Sequence, residues 1–300
     1  MSGVSDNIRG ALLMMGAMCA YTVNDAFMKA LLDDVPFFQA VLIRGIGAVI
    51  CLTLMCRVMG QLRFDLSLRD WVLIILRTLG EMGGTFFFLT ALLHMPIANV
   101  SAILQVLPLS VSLAAAVFLG APLGWRRMTA IGIGFAGVLL IIQPGGQDFS
   151  IFSLYALGAV ACVTLRDVIV RRMSANVPAV FIALVAAVGV TLLGAVGSLF
   201  NDFAPMRTGA ALQLAGATAF LVVGYVLSVM TMRVGEIAFV APFRYASLIV
   251  ALSLGIVVFG EWPDAAMLAG ASIVVATGLF TLYREAQLRI RVRPVPDRIR

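Results

Sequence analysis

Ten apolar runs follow one another along the chain, at 10–32, 36–57, 71–93, 97–119, 128–143, 151–172, 177–200, 210–232, 237–259 and 264–283. A helix needs about 20 apolar residues to cross a bilayer. Within lipid only helices and closed barrels satisfy every backbone N–H and C=O, and runs this long that do not alternate are helices. The linkers between them, among them "DDVP", "QPGGQD" and "GEWPD", are short. With 62% hydrophobic and 12% charged residues, against about 25% charged in soluble domains, the sequence predicts an all-α, multi-pass membrane protein. It leaves no room for a soluble catalytic module.

The net charge of +6 reports topology rather than nucleic acid. With the N-terminus inside, one side collects Arg9, Arg57, Arg63, Arg69, Arg126, Arg127, Arg171, Arg172, Arg233 and six arginines beyond residue 283, fifteen in all; the other side has only Arg207. An excess of this kind marks the cytoplasmic face, so both termini are expected there, in a cell (inner) membrane. The basic tail, "LYREAQLRIRVRPVPDRIR", is expected to meet anionic lipid and no nucleic acid. "MSGVSDNIRG" leads into a run too long for a signal-peptide core, so the first helix is expected to be uncleaved. Cys19, Cys51, Cys56 and Cys162 lie within apolar runs without a C-x-x-C pair, and His94 is the only histidine. Isolated cysteines behave as small hydrophobes, so no metal, disulfide or cofactor is expected.

Two gapless alignments disclose an internal duplication. "GAMCAYTVNDAFMKALLDDVP" (16–36) sets over "GAVACVTLRDVIVRRMSANVP" (158–178), and "IANVSAILQVLPLSVSLAAAVFLG" (97–120) over "IAFVAPFRYASLIVALSLGIVVFG" (237–260). The chain reads as one five-helix repeat over 1–146, a second over 147–284, and a basic tail at 285–300. Because five is odd, the second copy enters the membrane from the opposite side. Inverted repeats of this kind are a transporter architecture, with the site between the halves and access alternating as one half rocks against the other.

The early Arg44 of the second span, Pro108 of the fourth, and the ninth-span run "APFRYASLIVALSLGIVVFGEWP" give the chain a resemblance to the EamA branch of the drug/metabolite transporter superfamily. The resemblance extends over nearly the whole chain. It implies a ten-helix bundle whose central cavity is lined chiefly by helices 3, 4, 8 and 9 and which moves small metabolites in or out. With no nucleotide-binding module, a proton or substrate gradient is the expected driving force. One departure is visible: "FLGAPLG" places Ala121 where the second copy has Glu261.

Ionised groups inside lipid cost at least about 2.5 kcal/mol each on insertion scales, so embedded charges mark either paired scaffolds or functional groups. "AYTVNDAFMKAL" holds Asn24, Asp25 and Lys29, and the duplication sets Asp25 over Asp167 and Lys29 over Arg171, each acid four residues before its base. That order favours an intrahelical pair, so two such pairs are expected, as scaffold or as gates near the two cavity mouths. Arg77 and Glu81 are again four apart, and "GEMGG" beside them suits close helix packing. They read as a pair holding helix 3, or with Glu81 as a proton-coupling acid.

A substrate lacks the symmetry of a duplicated fold, so its contacts are sought among residues that the copies do not share. Arg244 aligns with Leu104, Arg44 with Ala186, and Arg77 and Glu81 with Ala217 and Leu221. Arg244 and Tyr245 lie mid-span with no acid within four residues, so the guanidinium is expected to face a cavity, a bound anion, or a carboxylate of another helix such as Glu81 or Asp25. Asn99, Ser101 and Gln105 of the facing helix offer hydrogen bonds, and Phe87 and Phe243 a surface for stacking.

The expectation is a secondary transporter, monomeric or homodimeric, for a small amphipathic metabolite. The resemblance suggests uptake of a vitamin such as riboflavin, or export of amino acids or related metabolites. The spacing needed for a membrane-embedded enzyme is missing: there are no paired carboxylates, metal cluster or nucleophile elbow. A non-transporting structural subunit would instead seal every embedded charge in an ion pair.

Overall fold

The computed structural model describes residues 2–31, 34–121, 123–145, 149–174, 176–201, 203–234 and 237–292, all of them helical or in short connections and none in a strand. The helices are α1 (Ser2–Leu31), α2 (Phe37–Val58), α3 (Leu68–His94), α4 (Ile97–Leu104), α5 (Leu107–Leu119), α6 (Trp125–Ile142), α7 (Phe152–Val170), α8 (Ala179–Ser198), α9 (Thr208–Val234), α10 (Ile237–Val240), α11 (Ala246–Phe259) and α12 (Ala265–Val292), with a 3₁₀ turn at Ala241–Tyr245. Together they supply ten segments long and apolar enough to cross a membrane, since α4 with α5 makes the fourth span and α10 with α11 the ninth. The boundary expected at 146 and 147 lies outside the described residues, as does the tail from 293 on.

Spans start and stop within a few residues of the expected places, and the misses have local causes. The third helix begins at Leu68 rather than 71 because Ser67 caps it: the Asp70 N–H donates to Ser67 Oγ at 3.1 Å and Ser67 Oγ donates to Asp70 Oδ2 at 2.7 Å. A hydroxyl N-cap satisfies an amide that the helix leaves open, so the helix extends through its polar first turn. At the other extreme, α12 runs past 283 to Val292.

The packing pairs map onto themselves when the halves are exchanged. First-span α1 packs on eighth-span α9, as sixth-span α7 packs on third-span α3; α2 lies on α8, α4 on α11 and α6 on α12. This is the inverted arrangement that the duplication requires. Large apolar side chains such as Ile50, Leu54, Val58 and Val257 lie exposed on the outside, the belt that lipid would cover.

The copies also repeat their irregularities. Between α4 and α5 the helix is interrupted at Gln105 and Val106, just before Pro108, whose ring has no N–H and crowds the carbonyl four residues back. At the aligned place in the ninth span the chain takes its 3₁₀ turn, with Pro242 in the first turn. Both spans then end on a left-handed glycine, Gly120 (φ 64°) and Gly260 (φ 66°). The amide after each turns back into the helix, Ala121 to Ala115 at 3.2 Å and Glu261 to Gly255 at 2.8 Å.

Close helix contact depends on glycine where α6 crosses α12. A Cβ on Gly270 would stand 2.5 Å from the carbonyl oxygen of Gly137, a backbone atom that cannot swing aside. Gly132, one turn away, faces open space. Gly270→Ala should therefore destabilise the protein by about 1–3 kcal/mol, read as a lower melting temperature in detergent, while Gly132→Ala, inside a helix and facing open space, should melt at or slightly above the parent. Equal melting of the two variants would refute the packing argument.

Candidate functional site

Charged side chains from four helices meet inside the bundle. On α3, Arg77 Nη2 lies 3.0 Å from Glu81 Oε2, the pair expected from their spacing. Glu81 is also held from α7, where Arg166 Nη1 donates to both its oxygens at 3.1 Å. Arg166 Nε turns to its neighbour Asp167 at 2.9 Å. On the far side, Arg44 of α2 donates to Asn24 Oδ1 at 3.4 Å, while the Asn24 amide donates to Asp25 Oδ1 at 2.9 Å. Arg44 lies within electrostatic reach of both Asp25 and Glu81, which joins the two clusters. Three carboxylates (Asp25, Glu81, Asp167) meet three guanidiniums (Arg44, Arg77, Arg166). Tyr21 and Tyr225 close over them with their rings edge to face at 5.8 Å.

A second charged cluster sits at the face opposite the arginine-rich one. Lys29, near the end of α1, lies 2.6 Å from Glu261 Oε1 and donates to the Met95 carbonyl at 2.5 Å. Glu261 Oε2 accepts the Ile97 amide at 2.9 Å, capping the start of α4, and the Phe259 ring lies 5.4 Å from the ammonium. One pair therefore ties together α1, the α3–α4 turn, and the end of α11.

The expected intrahelical pairs are accordingly corrected. Lys29 is bound to Glu261 from the other half rather than to Asp25, and Asp25 joins Asn24 and Arg44. In the second copy Asp167 pairs with Arg166, and Arg171, at the end of α7, is exposed. Four-residue spacing permits a pair, but partners from other helices complete the charges better: a carboxylate beyond a helix end also has the free amide of the next helix to accept.

Arg244 is different. Its side chain is exposed, and among the described residues it enters none of the ion pairs above. It stands one helical turn from Val240 and from Leu248, both buried. Its neighbour across the fourth span is Gln105, whose amide donates to Ser247 Oγ at 2.8 Å, while Ser247 Oγ donates to the Arg244 carbonyl at 3.0 Å. The two helix breaks are thus tied to each other where the spans cross. A cavity of about 270 Å³ lined by Asp34, Pro205, Arg207 and Ala210 lies apart from these residues.

Residues 8–143 match the EamA-like transporter family. Among curated proteins, the chain is 24% identical to the S-adenosylmethionine uptake transporter of Rickettsia conorii over 70% of this chain and 71% of that one. It is 24% identical to the riboflavin transporter of Vibrio cholerae over 96% and 97%. With the pseudopaline exporter CntI of Pseudomonas aeruginosa it shares 25% over 89% and 93%. The first half of the chain carries an EamA-type transporter domain, and most of its length is similar to transporters of that kind. A crystal structure with 18% identity superposes with a TM-score of 0.63, covering 95% of this chain and 99% of its own, which agrees on the fold.

In this EamA-type transporter the residues singled out from sequence separate into three sets. Asp25, Arg44, Arg77, Glu81 and Asp167 enter the charge network, and Lys29 the end cluster. Gln105 lies beside Arg244 at the crossing, with Asn99 and Ser101 half-buried on α4 above it. Phe87 and Tyr245 are turned into helix packing: Phe87 lies against Gly158 and Tyr155, and the Tyr245 hydroxyl is buried against Gly278. Phe243 packs on Phe239 at 5.8 Å. Arg166 was missed. The duplication sets it against Asn24, so the search for unshared residues that found Arg244 applies equally to it.

The network has a thermodynamic signature. Removing one member of a buried ion pair leaves the other uncompensated, at about 3–5 kcal/mol. Glu81→Gln, which strands Arg77 and Arg166, should lower the melting temperature in detergent markedly. Arg166→Lys should lie between it and the parent, since an ammonium cannot span Glu81 and Asp167 as the guanidinium fork does. Arg244→Gln should melt like the parent; a comparable loss there would show a structural partner.

Proposed function

We propose that the chain is a secondary transporter that carries a small amphipathic metabolite across the cell inner membrane by alternating access, its two five-helix halves enclosing the path. The excess of arginine at one face supports a cytoplasmic position for both termini. Embedded charges supply the discrimination. A structural subunit would pair every one, and six are indeed joined in the internal network while Lys29 pairs with Glu261. Among the described residues Arg244, inside the ninth span, is exposed and belongs to neither group. That observation carries the proposal.

A guanidinium offers five donors in a planar fork, suited to a carboxylate or to the carbonyl edge of a flat heterocycle. Gln105, Ser101 and Asn99 add neutral hydrogen-bonding groups at the same crossing. Riboflavin uptake is our first reading, supported by likeness over 96% of this chain to a protein named as a riboflavin transporter. Export of amino acids or related carboxylated metabolites is the second, supported by the named exporter among the relatives and by the free cation. A proton gradient is the proposed drive. Glu81, clamped by two arginines, suits the proton role less than Asp25, whose hydrogen bond comes from a neutral amide.

The test is riboflavin accumulation in a bacterial strain unable to make the vitamin, supplied at low external concentration. The chain should restore growth and cellular fluorescence, and Arg244→Gln should remove the rescue at unchanged protein level. Absence of rescue with the protein in the membrane would discard the vitamin reading and turn the test to efflux of carboxylated metabolites.

A further inference from the structure

The duplication makes the end cluster informative, because every residue in it has a counterpart at the other face. Lys29 aligns with Arg171 and Glu261 with Ala121. The backbone that delivers Glu261 is reproduced at Ala121: a left-handed glycine ends the helix, at φ 66° and 64°, and the next amide turns back into it. The second position is therefore built like the first but has no acid. Arg171 is exposed, and its neighbour Arg172 reaches no further than the Phe118 carbonyl at the end of α5, at 2.7 Å. At the aligned place of the other face the halves are joined differently: Asp70 accepts the Ser174 amide at 3.1 Å, and no acid stands at 121.

We propose that Lys29 and Glu261 form the latch of a one-sided gate, closing the path at the extracellular face, and that alanine at 121 leaves the aligned position at the cytoplasmic mouth without its acid, so the empty carrier rests open to the cytoplasm. The latch spans the two halves, joining α1 and the start of α4 to the end of α11, so rocking the halves apart at that face must break it. Its groups sit at helix ends near the membrane surface, with side chains 13% and 19% exposed, where an opening movement can rehydrate them. Its orientation is fixed by backbone. Lys29 also donates to the Met95 carbonyl and Glu261 also accepts the Ile97 amide, so exchanging the two side chains would set a carboxylate against a carbonyl and an ammonium against an amide.

The inference rests on the transporter reading for the meaning of the two faces, but its test needs no substrate. In the full-length chain the four native cysteines are replaced by alanine and Ser101, one turn below Ile97 on α4, by cysteine. Intact cells are then exposed to a membrane-impermeant maleimide. The parent should label slowly. Glu261→Gln keeps an oxygen for the Ile97 amide while removing the charge that holds Lys29, and should label about tenfold faster. Ala121→Glu, on the half-buried end of α5 where folding is not at stake, should also label faster, because it supplies the missing acid beside Arg171 and Arg172 and favours closure of the cytoplasmic mouth.

A parental rate in Glu261→Gln would overturn the gate, and a parental or slower rate in Ala121→Glu would overturn its one-sidedness. A second background retains only Cys162, packed against Gly80, Gly83 and Gly84 between α3 and α7. Faster labelling of Cys162 in Glu261→Gln would show general loosening and also overturn the gate. If the labelling shifts appear while riboflavin does not accumulate, the gate stands and the substrate reading falls.

Discussion

Glu81 is the point on which the interior depends. A carboxylate in the middle of a membrane bundle is tolerated only when its charge is met by well-placed donors, and here two guanidiniums meet it, one from its own helix and one from the other half of the chain. The bond from Arg166 fixes α3 against α7, an interface already narrowed by Gly80, Gly83 and Gly84 along the sulfur and backbone of Cys162. Small residues let the helices approach and the ion pair fixes their register. Neither suffices alone, because small residues permit sliding and an ion pair tolerates distance.

Charge balance then divides the embedded residues by role. Three acids and three bases in one network leave nothing for a ligand to neutralise. At the end of α1, Lys29 and Glu261 are again balanced, but close to the surface and across the halves. Arg244 stands outside both groups. The division follows from electrostatics in a medium that screens poorly: a balanced cluster holds helices together, a balanced pair at an edge can separate, and an exposed charge outside both stays open to a ligand.

The number of spans, their order and their inversion were legible in the sequence because hydropathy and repetition are properties of single segments. So was the internal pair of Arg77 and Glu81. Partners across helices were not. Asp25 and Lys29 have the right spacing to pair, yet Lys29 finds Glu261 more than two hundred residues away, a choice set by where α11 ends rather than by anything near Lys29. Tyr245 shows the same limit: its place beside Arg244 suggested a shared surface, but successive residues of a helix differ by about 100° in direction, and the ring turns into the packing against Gly278.

Where the two copies agree, they describe a mechanism that works equally from either side of the membrane. Both the fourth and ninth spans are broken at matching places, both end on left-handed glycines, and the main helix pairings map onto one another when the halves are exchanged. A perfectly symmetric duplicate has no preferred side and no asymmetric site. Preference and recognition must enter where the copies differ: Arg166 against Asn24 unites the halves, Arg244 against Leu104 places a cation at one break, and Glu261 against Ala121 places an acid beside Lys29 at one face. In the transport proposed above, the duplicated positions would provide the movement, and the few that diverged are where selectivity and sidedness can enter.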